Sequence, residues 1–312
     1  MSNALENPSD RKAYVVTGPT SGIGRATAFE LAKYGTVVLV GRDPGKLEEM
    51  RELIAQKGQH AVSVVCDLSD LASVRRAAAE IIALHLPIAG LLNNAGMMQP
   101  RARNALGWDM TFATNHLGPF ALTEALVPHL ADGANVVFVG SGTEDPARRP
   151  ATAVGFRGGR YISAEASARG EWVPGGSAIP GGDAYATSKQ CNIVTAMAFA
   201  RETPRLHFNA VEPGFNPTTG LGQRDANVLL RFLVKYIIPL LVPLLMPFMK
   251  ILSTSKRAAR VISKILTDIS GQSGIYYDEG GQPMPGSTFV RDPKFQDRVV
   301  AETRALLATV PI

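Results

Sequence analysis

Short apolar runs alternate with amphipathic stretches along most of this chain. Residues 13–17 form a continuous apolar strand pattern. The turn Gly18-Pro19-Thr20-Ser21-Gly22-Ile23-Gly24 follows, and 25–34 then has helical spacing. Strand patterns at 36–40, 61–66, 88–92, 135–140 and 206–211 alternate in the same way with helical patterns at 44–57, 70–85, 108–130 and 185–201. Ser69 or Asp70 is placed to cap the third of these helices. Strands that alternate with helices and read as apolar on both faces predict an α/β fold. The expected architecture is a single-domain, doubly wound parallel sheet over residues 1–312.

Two stretches interrupt the alternation. Residues 142–184 are rich in Gly, Pro and Arg, including Arg148, Arg149, Arg157, Arg160 and Arg169, and are expected to be a long surface insertion. Residues 215–255 hold an unusually apolar run at 228–252, in which Pro239, Pro243 and Pro247 recur at four-residue intervals. Each proline removes a backbone donor and clashes with the carbonyl four residues earlier, so an ordinary straight helix is not expected. Arg231, Lys235 and Lys250 interrupt or flank the run, which leaves it short of the roughly 20 apolar residues that cross a bilayer. Three readings stay open: a lid over a bulky apolar substrate, a shallow membrane-interface anchor, or an oligomer contact. Lys256, Arg257, Arg260 and Lys264 would suit an anionic membrane surface or a solvated helix face equally.

Composition narrows the function classes. A chain of 312 residues suffices for one large core. Its two cysteines, Cys66 and Cys191, offer neither a disulfide framework nor a metal-ligand spacing, so no metal is expected. The first twelve residues lack an apolar signal region, and a cytoplasmic location is the expectation. The net charge of +5 comes from dispersed basic residues without a nucleic-acid motif, so no nucleic-acid partner is expected.

The chemistry gathers where strands end. Strand, glycine turn and helix together make a phosphate cradle, because glycine lets the backbone approach a pyrophosphate and the helix N-terminus presents free N–H groups. Past the second strand stands Gly41-Arg42-Asp43. Arginine there pairs with a 2′-phosphate, which predicts a preference for NADP(H) over NAD(H), although Asp43 remains open to a ribose contact. Asp67 and Asn94-Ala95-Gly96 also leave strand ends, and Asn115 is a polar amide inside an apolar helical stripe. Ser141 follows the fifth strand. Tyr185 and Lys189 lie four residues apart on one helix face. A tyrosine is a poor acid or base near neutrality, and a fixed cation beside it is expected to favour the phenolate.

The ordered set of glycine turn, Asn94-Ala95-Gly96, Asn115, Ser141, Tyr185 with Lys189, and Pro213-Gly214 resembles the short-chain dehydrogenase/reductase family from about residue 12 to about residue 307. Thr114-Asn115-His116-Leu117-Gly118, Gly41-Arg42-Asp43 and Gly274-Ile275-Tyr276-Tyr277 are most similar to the branch with retinol dehydrogenases and light-dependent protochlorophyllide reductase. The resemblance implies a Rossmann fold with Tyr185 as general acid/base. Lys189 would hold the nicotinamide ribose, Ser141 would bond the substrate oxygen, and Asn115 would hold a water that relays protons from Lys189. Gly18, Ser21, Gly22, Ile23 and Gly24 would line the pyrophosphate, Arg42 the 2′-phosphate, and Asp67 and Leu68 the adenine. Asn94, Ala95 and Gly96 would border the adenosine ribose, and Pro213, Gly214 and Thr218 the nicotinamide amide, with 215–255 as substrate lid.

The implied activity is hydride transfer between NADP(H) and a carbonyl or alcohol of a bulky apolar substrate. Reduction of a conjugated carbon–carbon double bond is the alternative within the enzyme class, and a non-catalytic NADP(H)-binding sensor or scaffold the alternative outside it. The long interval between Ser141 and Tyr185 is similar to the insertion of monomeric carbonyl reductases, which leaves monomer and homodimer both open. Pro119 and Glu212 stand where relatives often carry other residues, and the sequence assigns them no role.

Overall fold

A computed structural model of the chain describes residues 11–214, 253–268 and 270–311. Within them, seven strands form one parallel sheet: β1 (Ala13–Thr17), β2 (Thr36–Gly41), β3 (Ala61–Val65), β4 (Ile88–Asn93), β5 (Leu130–Val139), β6 (His207–Val211) and β7 (Tyr276–Tyr277). Their order is β3-β2-β1-β4-β5-β6-β7, which bears out the doubly wound arrangement. The added strand, β7, spans only two residues, too few for alternation to reveal it.

The helices are α1 (Gly22–Leu31), α2 (Pro44–Ala55), α3 (Leu71–Ala83), α4 (Met110–Phe112), α5 (Gly118–Leu126), α6 (Arg149–Ala153), α7 (Ala164–Ala168), α8 (Gly182–Glu202), α9 (Ser255–Leu266) and α10 (Pro293–Ala308). Successive strand residues face opposite sides of the sheet, and both sides are covered. Val15, Val38 and Val136 enter one core with Phe120 of α5, Ile193 and Phe199 of α8 and Val299 of α10. Val16, Leu39 and Val137 enter the other with Leu31 of α1, Leu47 and Ile54 of α2 and Ile262 of α9. Each such buried side chain stabilises the fold by about 1.5–3 kcal/mol.

Three expectations change. The helix foreseen at 108–130 is broken: a π-helical turn (Ala113–Leu117) separates α4 from α5, and a short turn (Val127–His129) follows it. Pro128 cannot donate to the preceding turn, so α5 stops and β5 begins at Leu130, earlier than its apolar run suggests. The capping expectation is met by Asp70, which accepts from the Ala72 N–H at 3.0 Å.

The third change concerns 142–184, which is more than a surface loop. Its α6 and α7 bury Ala151, Ala164, Ala166 and Ala168, the Tyr161 hydroxyl donates to Glu302 of α10 at 2.7 Å, and the Ala168 carbonyl accepts from the Asp109 N–H at 2.6 Å. Its arginines disguise this packing because several bond the main chain of the insertion itself. Arg157 donates to the carbonyls of Thr152 and Phe156, and Arg160 to those of Pro174 and Gly175.

Thr218 and the apolar run 228–252 lie outside the described residues. Among the described residues no helix is long and apolar enough to cross a membrane. Lys256, Arg260 and Lys264 are exposed along one line of α9, with Arg257 half-buried beside them.

Candidate active site

The sheet order reverses between β1 and β4, so the loops leaving these neighbours part and open a crevice at their carboxyl ends. Gly18 leaves β1 with φ +67°, and a Cβ there would stand 3.0 Å from Ala95 Cα. A Cβ on Gly24 of α1 would stand 2.2 Å from the Gly18 oxygen. Only glycine fits at these two positions. Thr17, which sequence reasoning missed, ties the two sides together: its hydroxyl donates to Leu92 O at 3.1 Å and accepts from the N–H groups of Asn94 (2.9 Å) and Ala95 (3.0 Å). The Asn94 amide returns a bond to Thr17 O at 2.9 Å. Ser21 is the α1 N-cap, yet its hydroxyl makes no capping bond and the first turn, which includes Gly22 and Ile23, holds no acid. The helix dipole therefore faces the crevice without a competing protein anion, which fits a dinucleotide pyrophosphate.

At the end of β2, Arg42 is exposed. Asp43 caps α2, accepting from the Lys46 N–H at 3.1 Å and pairing with its ammonium at 3.5 Å. The backbone bond holds its carboxyl below the usual range, so Asp43 has a structural task that a ribose contact would have to displace. After β3, one Asp67 oxygen accepts from the Ser69 N–H (2.9 Å) and hydroxyl (2.7 Å). The Leu68 backbone packs so closely on α5 that a Cβ on Gly118 would be 2.0 Å from Leu68 O.

The far side of the crevice brings Ser141, Tyr185, Lys189 and Asn115 together. Lys189 is 3% exposed, its ammonium donates to Val139 O at 2.8 Å, and it lies 5.7 Å from the Tyr185 ring centroid. Gly96 closes the space beside it: a Cβ there would be 3.4 Å from Asn115 Oδ1 and 3.6 Å from Lys189 Nζ. Burial lowers the Lys189 ammonium to about 8, with the Glu212 charge opposing. Tyr185 is half-buried. Its phenol is raised above the ordinary range, first by desolvation and then by Glu212, with the neighbouring Ser141 hydroxyl pulling it down. This corrects the expected sign. Burial outweighs the neighbouring cation, whose ammonium is turned to a main-chain carbonyl.

Asn115 occupies the π-helical turn, and Pro119 accounts for the turn. Proline has no N–H to give the carbonyl four residues back, so the helix widens and the Asn115 carbonyl accepts instead from Asn192 Nδ2 at 2.9 Å. The Asn115 side chain bonds both backbone groups of Met97 (2.8 and 2.9 Å) and donates to Ser188 Oγ at 3.1 Å. Because the Asn192 nitrogen is committed, its oxygen faces His116 Nδ1 at 3.2 Å and that nitrogen must donate; Nε2 then accepts from Thr303 of α10 at 3.1 Å. Burial keeps this imidazole neutral, lowered to about 4. Ser188, Asn192 and Thr303 escaped sequence reasoning because their partners lie far away in the chain. Pro213 and Gly214 leave β6 beside Ser141, bridged to it by Glu212, which accepts from the N–H groups of Gly142 and Gly214. Among the described residues no cluster of side chains is suited to a metal.

Residues 12–151 match the model of the short chain dehydrogenase family. The chain is 30% identical over 234 residues to human dehydrogenase/reductase SDR family member 12, covering 73% of this chain and 68% of that protein. It is 29% identical over 290 residues to protochlorophyllide reductase B, chloroplastic, of rice, covering 84% and 68%. With mouse polyprenol dehydrogenase it shares 42% identity over 146 residues, 44% of each chain. The chain thus spans less than half the length of that last relative. A blue fluorescent protein from a metagenomic library, solved in complex with NADPH, superposes with a TM-score of 0.61 at 19% identity, covering 88% of this chain and 99% of that one.

Proposed function

The chain belongs to the short-chain dehydrogenase/reductase family of oxidoreductases, and on that footing we propose that it moves a hydride between NADP(H) and a carbonyl or alcohol of a bulky apolar substrate. The observation that carries this reading is one constellation: Tyr185 and buried Lys189 one helical turn apart, with Ser141 beside the phenol where β5 ends. The nicotinamide, when bound, supplies or accepts the hydride. Tyr185 gives its proton to the carbonyl oxygen in reduction and takes it back in oxidation. Ser141 donates to the same oxygen and steadies its developing charge. Lys189 would hold the nicotinamide ribose, and its cation supports the phenolate left after proton transfer.

The exposed Arg42, beside an Asp43 engaged in capping, supports NADP(H) over NAD(H). The Phe156 ring, 6.2 Å from that of Tyr185, supports an apolar substrate wall, and the 228–252 run would complete it as a lid. Similarity to protochlorophyllide reductase over 84% of the chain favours one second reading, reduction of a conjugated double bond by the same Tyr185 and Lys189.

The test is oxidation of NADPH beside NADH by the purified protein against bulky ketones, aldehydes and enones, with Tyr185→Phe as control. Turnover should prefer NADPH and fall about 10³-fold in the variant, and product analysis separates carbonyl from alkene reduction. Tight NADPH binding without turnover in either direction would sink the reading in favour of a sensor or scaffold. Because the phenol is raised, its proton is available for reduction across neutral pH, and alcohol oxidation should speed up as pH rises.

A further inference from the structure

Immediately before Pro213-Gly214 stands an acid for which the proposed reaction has no direct use. Glu212 is 5% exposed. Its carboxylate accepts from two backbone N–H groups, that of Gly142, next to Ser141, and that of Gly214 at 3.2 Å. Those donors sit on different loops, one leaving β5 and one leaving β6, and the first is 70 residues from Glu212. A carboxylate presents two acceptor oxygens at once, which no other side chain of this length does without also presenting a donor.

Charged and titratable groups surround it on every side. Arg148 of the insertion passes so close to Gly142 that a Cβ there would be 2.4 Å from Arg148 Cδ, and its guanidinium lies 3.6 Å from Glu279. Tyr276 of β7 is buried, with a hydroxyl that makes no hydrogen bond among the described residues. Glu144 is fully buried and accepts from the Ser287 N–H at 2.9 Å. Tyr185 and Lys189 of α8 are near enough to feel its charge. Desolvation raises the Glu212 carboxyl to about 7, with Arg148 and Lys189 opposing and Glu279 adding. Its charge in turn raises Tyr185 and supports the cationic form of Lys189.

We infer that Glu212 is a positioning residue of the active site: its carboxylate splices the Ser141 loop to the Pro213-Gly214 loop, and its charge sets the pH range in which Tyr185 works. This rests on the Tyr185 reading for its catalytic half only. The splice fixes the donor to the substrate oxygen relative to the wall proposed for the nicotinamide amide, so it bears on cofactor binding even without turnover. Arg148 supplies the counter-charge, which gives the insertion a direct electrostatic link to the site.

Glu212→Gln keeps the shape but turns an amide NH₂ toward one of the two backbone donors and removes the charge. NADPH affinity, read by nucleotide fluorescence, should fall about tenfold. The alkaline limb of alcohol oxidation should move to lower pH, because an anion beside Tyr185 is gone. Unchanged affinity with a superimposable pH profile overturns the inference, and so does a lower kcat at unchanged affinity and pH profile, which is all that a general structural role would produce. Should the variant fail to fold, infrared titration of the protein without nucleotide decides. A buried carboxylic acid band should be lost around pH 7 in the wild type and at higher pH in Arg148→Met. A wild type whose acids all ionise in the ordinary carboxylate range overturns it. If wild type shows no Tyr185-dependent turnover, the proposed reaction falls, while the affinity and infrared measurements still decide Glu212.

Discussion

The two sides of the crevice are built from different materials. On the β1–β4 side the groups that face the proposed nucleotide are backbone amides and small side chains, contiguous in sequence from Gly18 to Gly24 and from Asn94 to Gly96, with Thr17 joining them. The β5–β7 side is held together by buried long side chains that carry a charge or a proton, and their partners are remote. Lys189 reaches Val139 across 50 residues, Glu212 reaches Gly142 across 70, and Glu144 reaches Ser287 across 143. The first side works by shape and is indifferent to pH. The second works by burial, which moves the Lys189 ammonium and the Glu212 carboxyl toward neutrality from opposite directions.

Gly24→Val breaks the shape side and should have the largest effect. A Cβ at 24 would lie 2.2 Å from the Gly18 oxygen and 2.4 Å from Asn94 Nδ2, and neither can retreat, the first being main chain and the second bonded to Thr17. The cost should exceed about 3 kcal/mol and remove NADPH binding from the measurable range. Calorimetric titration at pH 6 and pH 8 should give the same loss. A loss confined to one pH would show that this side is electrostatic too.

That contrast also decides what could be read in advance. The glycine turn, Asn94-Ala95-Gly96 and the Tyr185-Lys189 pair are local, so spacing alone reveals them, and long apolar strands reveal the sheet. Thr17 looked like one more strand residue, since nothing in its neighbourhood shows that its hydroxyl ends among the amides of Asn94 and Ala95. Pro119 acquires meaning only through Asn192, and Glu212 only through Gly142 and Arg148, all distant in the chain. The sign of the Tyr185 shift was misjudged for the same reason. A cation four residues away is visible in sequence, whereas desolvation and an acid 27 residues downstream are not.

His116 sharpens the electrostatic side. Its folded-state value is depressed to about 4 by burial, against an ordinary 6.5, so the unfolded chain takes up the proton first as pH falls. The stability that depends on the neutral ring is therefore present above pH 6.5 and lost progressively toward pH 4. In urea unfolding, the advantage of wild type over His116→Gln should shrink across that window by at most about 3 kcal/mol. A pH-independent difference would mean that the ring is wetter than its bonds to Asn192 and Thr303 imply.

The smallest effect tests whether any charge on this side matters or only buried ones. Arg304 of α10 bonds Glu124 of α5 at 2.6 Å and Glu202 of α8 at 2.6 Å, joining three helices, but its side chain is 42% exposed and its partners are 35% and 39% exposed. Solvent screens such a network and ordering the side chains offsets much of the rest. Arg304→Met keeps the stem over the Phe199 ring, 5.4 Å from the guanidinium, and removes the charge. It should lower stability by about 0.5–1 kcal/mol in low salt, with the difference fading in high salt. A salt-resistant loss above about 2 kcal/mol would instead mean that the surface network docks α10, displacing the buried Val299 face and the His116–Thr303 bond from that role.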